Sequence, residues 1–330
     1  MAAISYSCGP IRVRIVSDPY SETHLLRGSL DLFSAPWEGV EVELQLQLAR
    51  PVELPPPSSS AAYLNSARMK VWSTREGLAA LCESGATAVM REENKCQWTI
   101  GIPSGVPDIW TITDLENLMT LILATGWRAQ GWTPFHAGMV CRPGGPAAMV
   151  CAPSGGGKTT LTLALLRRGW STLGDDKLLL RKEPNGKAME ARALVHTFNL
   201  FPHHRRWFPE IGDISHLPKY SVWTNKRRVP VARLRHQAPL TNACPTHLIQ
   251  VVRNDDHDAI KLSPLQSSEI LSLLMRQTVI PNHSPTARAI LSTVAELAGT
   301  LKGLRVEVGK DAYLQPDSLV DLEAHLENQR

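Results

Sequence analysis

The sequence predicts an α/β domain preceded by a smaller, strand-rich α+β domain, and three observations support this division. Apolar and polar residues alternate through the first third, as in "IRVRIV" and "VEVELQLQL", which is typical of half-buried strands. From about Gly131 short apolar strands alternate with amphipathic helices. A glycine-rich loop, "CAPSGGGKTT", joins one such strand to a helix. We therefore place an N-terminal domain of unknown role at residues 1–130 and the α/β domain at residues 131–330.

The composition is that of a globular chain long enough for two domains. Of its 330 residues, 43% are hydrophobic and 20% are charged, and the net charge is +4 at pH 7. No apolar stretch reaches the roughly 18 residues of a membrane span, so no membrane partner is expected. The charge is too small to require nucleic acid as a partner. Six scattered cysteines argue against structural zinc and, with no visible secretory signal, indicate a cytoplasmic protein.

Two features punctuate the N-terminal domain. The segment "LPPPSSSAA" at 54–62 interrupts the strand pattern and predicts a surface loop. The stretch "TDLENLMTLILATGW" opens with Thr113 and has Glu116 three residues later, which predicts a helix that begins with a capping box. Apolar residues then recur at helical spacing, at positions 115, 118, 119 and 122.

A hairpin opens the second domain. "FHAGMVC" and "AAMVCA" are short apolar strands, and "RPGGP" between them predicts a tight turn. If the turn is centred near Gly144, antiparallel pairing places His136 opposite a residue near Ala152. His136 is therefore expected close to the start of the glycine-rich loop.

The glycine-rich loop fits the pattern A-x-x-x-x-G-K-T of a phosphate-binding loop. Its glycines allow consecutive N–H groups to converge on an anion, Lys158 reaches the terminal phosphates, and Thr159 supplies a magnesium ligand. The helix "TLTLALLRRG" follows, with Gly169 at its C-terminal end. We expect ATP with Mg²⁺ to bind through Pro153, Ser154, Gly155, Gly156, Gly157, Lys158, Thr159 and Thr160.

Paired carboxylates follow in "STLGDD", where Asp175 and Asp176 come 17 and 18 residues after Lys158. That distance accommodates a helix, a turn and a strand that returns parallel to the strand before the loop. The carboxyl end of the returning strand then lies beside the loop, where ligands collect in α/β sheets. Two carboxylates there can hold Mg²⁺ and accept a proton from a hydroxyl nucleophile.

The order "HAG", hairpin, "SGGGKTTLTLALLRRG" and "GDD" resembles the HPr kinase/phosphorylase family and its relative, ATP-dependent phosphoenolpyruvate carboxykinase, from about Phe135 to Leu180. The resemblance implies a P-loop kinase domain in which Asp175 and Asp176 are the catalytic pair and His136 is an active-site histidine. It also implies that Thr159 and one aspartate, which we take as Asp176, hold the metal. The sequence does not decide which aspartate is the base.

The family's later "GRN"-type signature is missing, and "VVRND" around Arg253 is at most a remnant of it. We therefore expect that HPr is not the natural substrate. The chain is also much shorter than the carboxykinase. What remains is the group of HPr-kinase-like proteins that includes kinases of ribosomal peptides, such as lasso-peptide precursors.

A basic segment between His203 and Arg235 offers a candidate acceptor site. "LFPHHRRWFPE" and "WTNKRRVPVARLR" place cations and tryptophan beside prolines, in predicted loops. Such cations could grip carboxylates of a peptide or its free carboxyl end, or they could simply keep a loop solvated. The candidate substrate-binding residues are Arg205, Arg206, Lys226, Arg227 and Arg228.

Three functions remain open at this point. The first is an ATP-dependent kinase that phosphorylates a hydroxyl, in the first instance that of serine, in a peptide or small protein. The second is a nucleotide-binding regulatory protein without phosphoryl transfer, against which both aspartates argue. The third is a kinase of a free hydroxy acid or amino acid. A homo-oligomer is compatible with each of them.

Overall fold

A computed structural model describes most of the chain. It describes residues 2–17, 23–31, 33, 42–49, 52–59, 61–91, 97–103, 107–183, 186, 188–195, 197–221, 223–234, 240–254, 259–309, 313 and 317–328. The chain divides into two compact units, Met1–Trp132 with Ile280–Ala289, and Thr133–Val279 with Ile290–Arg330. No helix within these described ranges is long and apolar enough to cross a membrane.

The first unit is built around a mixed eight-stranded sheet in the order β1-β2-β3-β8-β7-β6-β5-β4. The alternating run "IRVRIV" and the described part of "VEVELQLQL", from Val42, form strands, as predicted, and these two strands pair in parallel. The strands are β1 (Ala2–Cys8), β2 (Ile11–Ser17), β3 (Val42–Ala49), β4 (Leu64–Asn65), β5 (Met69–Ser73), β6 (Gly77–Cys82), β7 (Thr87–Arg91) and β8 (Gln97–Gly101).

Two helices, α1 (Thr23–Asp31) and α2 (Ile109–Ala129), accompany this sheet. The predicted start of α2 at Thr113 is wrong, because the helix begins one turn earlier. Asp108 is the N-cap residue, and its carboxylate accepts from the N–H of Thr111 at 2.8 Å. The sequence also contains Thr113 followed by Glu116, a second cap-like pattern one turn inside the helix, and the prediction rests on this pattern in place of Asp108. The four apolar positions predicted to face the core are fully buried.

The second unit contains the glycine-rich loop. Its strands are β9 (Thr133–Phe135), β10 (Gly138–Cys141), β11 (Ala147–Cys151), β12 (Ser171–Gly174), β13 (Leu178–Lys182), β14 (Met189–Ala193), β15 (Thr197–Leu200), β16 (Arg227–Pro230), β17 (Asn242–Ala243), β18 (His247–Arg253), β19 (Ile260–Leu265) and β20 (Lys302–Val308). Its helices are α3 (Lys158–Arg167), α4 (Val231–Leu234), α5 (Ser267–Arg276), α6 (Ser284–Thr300) and α7 (Val320–Asn328), and α6 begins within the segment assigned to the first unit.

A six-stranded sheet in the order β12-β10-β11-β18-β20-β19 positions the site. β11, β18 and β20 are parallel neighbours, and β10 is antiparallel to both β11 and β12. β12 therefore runs parallel to β11, as predicted, but β10 lies between them. The glycine-rich loop follows β11 and "GDD" spans the end of β12, so both lie at the same edge of the sheet.

Two smaller sheets complete this unit, in the orders β17-β14-β13-β9 and β15-β16. The prediction that the basic segment forms loops is wrong in two places. Arg205 and Arg206 end a short 3₁₀ helix that begins at Pro202, whereas Arg227 and Arg228 form the start of β16. Pairing with β15 was not visible in the sequence because β15 and β16 are separated by a long connection with no periodic pattern.

Candidate functional site

The glycine-rich loop connects β11 to α3, and each of its three glycines is required because of backbone conformation or close packing. Gly155 and Gly157 have φ angles of +77° and +96°, which favour glycine. A Cβ on Gly156 would lie only 3.0 Å from the Cβ of Ala152. Because Gly157 is the N-cap residue, no side chain at that position occupies the first amide groups of α3. Such a loop presents N–H donors and the positive end of a helix to an anion.

Two side chains at the start of α3 contact the paired carboxylates. Nζ of Lys158 donates to Oδ1 of Asp176 at 3.1 Å, and Oγ1 of Thr159 donates to Oδ2 of Asp175 at 2.7 Å. The other oxygen of Asp175, Oδ1, is buried and has no hydrogen-bond partner among the described residues. The two neighbouring carboxylates therefore have different partners, and it is Asp175, not Asp176, that contacts Thr159.

Two glycines allow the backbone to bring these groups together. Gly174 ends β12 with a φ of +144°, and a Cβ there would lie 2.9 Å from the carbonyl oxygen of Val195. A Cβ on Gly138, the last residue of "HAG", would lie 3.0 Å from both Cα and the carbonyl oxygen of Asp175. The glycines of "HAG" and "GDD" thus permit a close backbone approach that sets the position of Asp175.

His136 precedes β10 and lies beside the second carboxylate. The pairing of β10 with β11 ends at Gly138 and Val150, and this register extended by two residues would set His136 opposite Ala152, in agreement with the prediction from the turn. The backbone N–H of His136 donates to the carbonyl oxygen of Gln277 at 2.7 Å. Its Nε2 lies 3.1 Å from Oδ1 of Asp176, the same oxygen that accepts from Lys158.

The two carboxylates differ in acidity as well as in partners. Burial, together with the negative charge of Asp176, raises the pKa of Asp175 to about 6. Burial also acts to raise the pKa of Asp176, but the hydrogen bond from His136 and the positive charge of Lys158 outweigh it and hold that pKa well below its ordinary value. Asp176 is therefore the more firmly ionised member of the pair.

These groups line one cleft of about 420 Å³. Besides the glycine-rich loop and the carboxylates, it has two walls. The strand-end wall follows the carboxyl ends of β18 and β20 and consists of Arg253, Val308, Gly309 and Tyr313. The β15–β16 wall consists of Asn199, Phe201, His203, His204, Trp207, Tyr220 and Lys226.

Of the basic residues predicted to bind the substrate, only some line this cleft. Lys226 lines it, and its Nζ lies 5.3 Å from the centre of the Phe201 ring. Arg205 and Arg206 instead line a second, open depression of about 700 Å³. Arg227 and Arg228 donate to the carbonyl oxygens of Leu217 and Tyr220, at 3.0 and 3.1 Å, within their own segment.

The sequence did not indicate most residues of the two walls. Arg253 was noticed only as a remnant of a family signature, although its place at the carboxyl end of a parallel strand predicts a position at the ligand edge. Asn199, Phe201 and Tyr220 had no such signal. They reach the cleft through the pairing of β15 with β16, which joins distant parts of the chain.

The carboxylates suit a magnesium ion that is held largely by a phosphorylated ligand. Within the described ranges, no group of three or more His, Cys, Asp or Glu side chains is arranged to hold a metal ion. Magnesium is usually bound in such sites through one or two carboxylates together with water and phosphate oxygens. The unpartnered Oδ1 of Asp175 and the hydroxyl of Thr159 are oxygen donors of the required type.

Comparison with known proteins finds similarity to solved structures. No protein-family profile matches the chain, and no curated protein matches its sequence. Among solved structures, the chain is similar to the Hpr(Ser) kinase/phosphatase from Coxiella burnetii, with a TM-score of 0.32 and 10% sequence identity. The alignment covers 60% of this chain and 99% of that protein. A similarity of this size does not establish a function.

Proposed function

We propose that this protein is an ATP-dependent kinase that transfers the γ-phosphate to a hydroxyl, of serine in the first instance, in a peptide or small protein. The observation that carries the proposal is the pair of contacts from α3, Lys158 to Asp176 and Thr159 to Asp175, at the mouth of the glycine-rich loop. A regulatory nucleotide-binding protein needs a phosphate site and a metal site, but it does not need a second carboxylate beside a histidine.

The glycine-rich loop and Lys158 form the nucleotide site in this proposal. When bound, ATP with Mg²⁺ would supply the phosphoryl group and the charge neutralisation that its transfer requires. The loop amides would hold the phosphate oxygens. Lys158, which contacts Asp176 in the structure, would contact a phosphate in its place, because both groups are anions.

Asp175 and Thr159 hold the metal in this assignment. The two side chains are in direct contact, and Asp175 retains an oxygen that no described residue satisfies. A buried carboxylate with a raised pKa is a costly group until a cation offsets its charge. We therefore replace the sequence-based pairing of Thr159 with Asp176 by one of Thr159 with Asp175.

Asp176 and His136 act on the acceptor hydroxyl. The side chain of Asp176 is 20% exposed, whereas residue Asp175 is only 2% exposed, so Asp176 is the carboxylate that an acceptor can reach. His136 holds the carboxylate of Asp176 in one orientation. In phosphoryl transfer the protein contributes mainly position and charge, and an aspartate that accepts the hydroxyl hydrogen bond fits that requirement.

A peptide acceptor is favoured by the continuity of the surface beyond the cleft. His203 and Trp207 line both the cleft and the second depression, which also contains Arg205 and Arg206. An extended chain with its hydroxyl at Asp176 could therefore continue over Trp207 to these two arginines. A free hydroxy acid or amino acid would occupy the cleft alone.

The proposal is tested with ATP labelled in its γ-phosphate and a mixed library of serine-containing peptides. Lys158→Ala should abolish label transfer, because no other cation replaces the ammonium group in the loop. Lys219→Ala is the matched control, since Lys219 is an exposed lysine outside the cleft and should leave transfer unchanged. If folded Lys158→Ala protein transferred the label at the wild-type rate, the assignment of Lys158 to the nucleotide site would be contradicted.

The preference for a peptide has its own measurement. The double variant Arg205→Gln, Arg206→Gln should raise the peptide KM several-fold, with a loss that diminishes at high salt, and should leave the ATP KM unchanged. Transfer to free serine at a rate that exceeds transfer to every peptide would favour the small-molecule kinase instead.

A further inference from the structure

We propose that the acceptor carries a carboxylate close to its reacting hydroxyl, and that Lys226 on the β15–β16 wall binds it. This inference rests on the proposed kinase function and names the class of acceptor. It concerns the part of the acceptor inside the cleft, whereas Arg205 and Arg206 lie in the second depression.

The order of the six-stranded sheet separates the two walls of the cleft. Asp175 and Asp176 follow β12, on one side of the glycine-rich loop, whereas the strand-end wall follows β18 and β20, on the other side. The phosphoryl group that is transferred must lie next to the carboxylates. The remainder of the nucleotide therefore extends toward the strand-end wall, and the acceptor approaches from the carboxylate side.

Lys226 lies on that carboxylate side. The same cleft is lined by Lys226, Asp175 and Asp176. The ammonium group of Lys226 lies 5.3 Å from the centre of the Phe201 ring, where a cation–π contact stabilises a cation without neutralising it.

The two lysines of the cleft differ in their partners. Lys158 is paired with Asp176 at 3.1 Å. Lys226 forms no ion pair with any described residue, and the nearby His204 adds no charge at neutral pH because burial lowers its pKa to about 4. An unpaired cation in a concave site selects an anion, since an anionic ligand supplies the missing partner.

Two further polar atoms of this wall are neutral. The indole Nε1 of Trp207 and the amide oxygen Oδ1 of Asn199 are buried, and neither has a hydrogen-bond partner among the described residues. Because these atoms add no charge, an anion on this wall faces the single ammonium group of Lys226, which suits a singly charged carboxylate better than a doubly charged phosphate.

The carboxylate could belong to the free carboxyl end of a peptide, to an acidic residue next to the serine, or to a small hydroxy acid. Three matched pairs of probes distinguish these sources. They are the peptide Ala-Ala-Ala-Ser as free acid and as amide, blocked Ala-Ser-Glu-Ala and Ala-Ser-Gln-Ala, and glycerate and glycerol. Within each pair only the carboxylate differs.

The experiment measures kcat/KM for each probe with the full chain, ATP and Mg²⁺. At least one acid should exceed its neutral partner by about tenfold or more, as expected for a hydrogen bond to a charged group. Lys226→Met keeps an apolar side chain of similar length and should remove that preference through the acceptor KM. The ATP KM should stay unchanged. Lys219→Met, on the same basic segment but outside the cleft, should retain the preference.

The outcomes separate this inference from the proposed function. Equal kcat/KM for acid and neutral members of all three pairs, or a preference that survives Lys226→Met, would overturn the inference and leave the kinase in place. Calorimetric binding of an acid probe that Lys226→Met abolishes, without any phosphoryl transfer, would support the anion subsite and count against the kinase. If no acid probe is phosphorylated and none binds, both the proposed kinase function and this inference are overturned.

Discussion

Among the residues that the structure describes, each unit of the molecule buries one aspartate, and the surroundings of the two carboxylates differ. In the first unit Asp114 is fully buried and accepts two hydrogen bonds from Arg68, both at 2.9 Å, and one from the N–H of Ser84 at 3.0 Å. In the second unit Asp175 is nearly as buried, but it accepts one hydrogen bond, from Thr159, and leaves Oδ1 without a partner among the described residues.

The acidities follow from these surroundings. Burial acts to raise the pKa of Asp114, but the hydrogen bonds from Arg68 and Ser84 outweigh it and lower the pKa. For Asp175 burial prevails, and its pKa rises to about 6. A buried carboxylate that serves the fold is fully satisfied, whereas one that is kept partly unsatisfied is available to a ligand. This contrast is the basis on which we propose a structural role for Asp114 and a functional role for Asp175.

The largest expected effect is on activity. Asp175→Asn keeps the size of the side chain and its contact with Thr159 but removes the negative charge that we propose holds the metal. We expect phosphoryl transfer to fall by at least about 100-fold. The free energy of unfolding should stay the same or increase, because a costly buried charge is removed. Turnover and urea unfolding of the same preparation test this. If Asp175→Asn were less stable than the wild type but had wild-type turnover, Asp175 would have the same structural role as Asp114.

The corresponding substitution of Asp114 in the first unit should lower stability and leave the site intact. Asp114→Asn removes the charge that pairs with Arg68 and should lower the free energy of unfolding by about 2 kcal/mol, near the lower end for a broken pair because Arg68 stays 23% exposed. The folded fraction should bind nucleotide with unchanged affinity, since the glycine-rich loop belongs to the other unit. Urea unfolding and nucleotide titration measure the two quantities. A loss of nucleotide affinity in fully folded protein would contradict the structural role.

The two aspartates should also give opposite dependences of stability on pH. The pKa of Asp175 is higher in the folded than in the unfolded chain, so its contribution is present below about pH 4 and is lost as the pH rises through about 6. Relative to Asp175→Asn, the wild type should lose about 2 kcal/mol over that range. The pKa of Asp114 is lowered on folding, so its contribution is present above about pH 4 and is lost on further acidification.

Urea unfolding of the wild type and the two Asn variants between pH 3 and pH 7 measures these dependences. The difference between wild type and Asp175→Asn should change between pH 4 and pH 6, whereas the difference for Asp114→Asn should be constant there. Parallel curves for the two variants would remove the distinction between the aspartates.

The smallest effect concerns how the backbone positions Asp175. Gly138→Ala places a Cβ 3.0 Å from Cα and the carbonyl oxygen of Asp175, so one strand must shift by a few tenths of an ångström. We expect kcat to fall about tenfold, because transfer depends on a precise position of the carboxylates, with a smaller loss of stability. Gly299→Ala is the control, since it meets no atom within 4 Å, and helix propensity should stabilise it slightly. Equal kcat in both variants would show that the close approach does not set the site.

The local parts of the site could be predicted from sequence because they depend on neighbours in the chain. The glycine-rich loop follows from residue types that only one backbone shape uses. The position of His136 follows from the period of a hairpin, and that of Asp175 and Asp176 from the length of a strand–helix–strand crossover. Long-range pairing has no such local signal. It brings Lys226 to the cleft and turns the side chains of Arg227 and Arg228 to backbone carbonyls instead.

The sequence by itself determined the α/β character of the second unit, the loop that can hold phosphate and the pair of carboxylates beside it. It could not distinguish Asp175 from Asp176, because two adjacent residues have the same composition and spacing around them. Only the tertiary structure assigned Thr159 to one and Lys158 with His136 to the other. The physical reason is that burial, hydrogen bonding and charge at each carboxylate arise from segments that are distant in the chain and meet only when the sheets assemble.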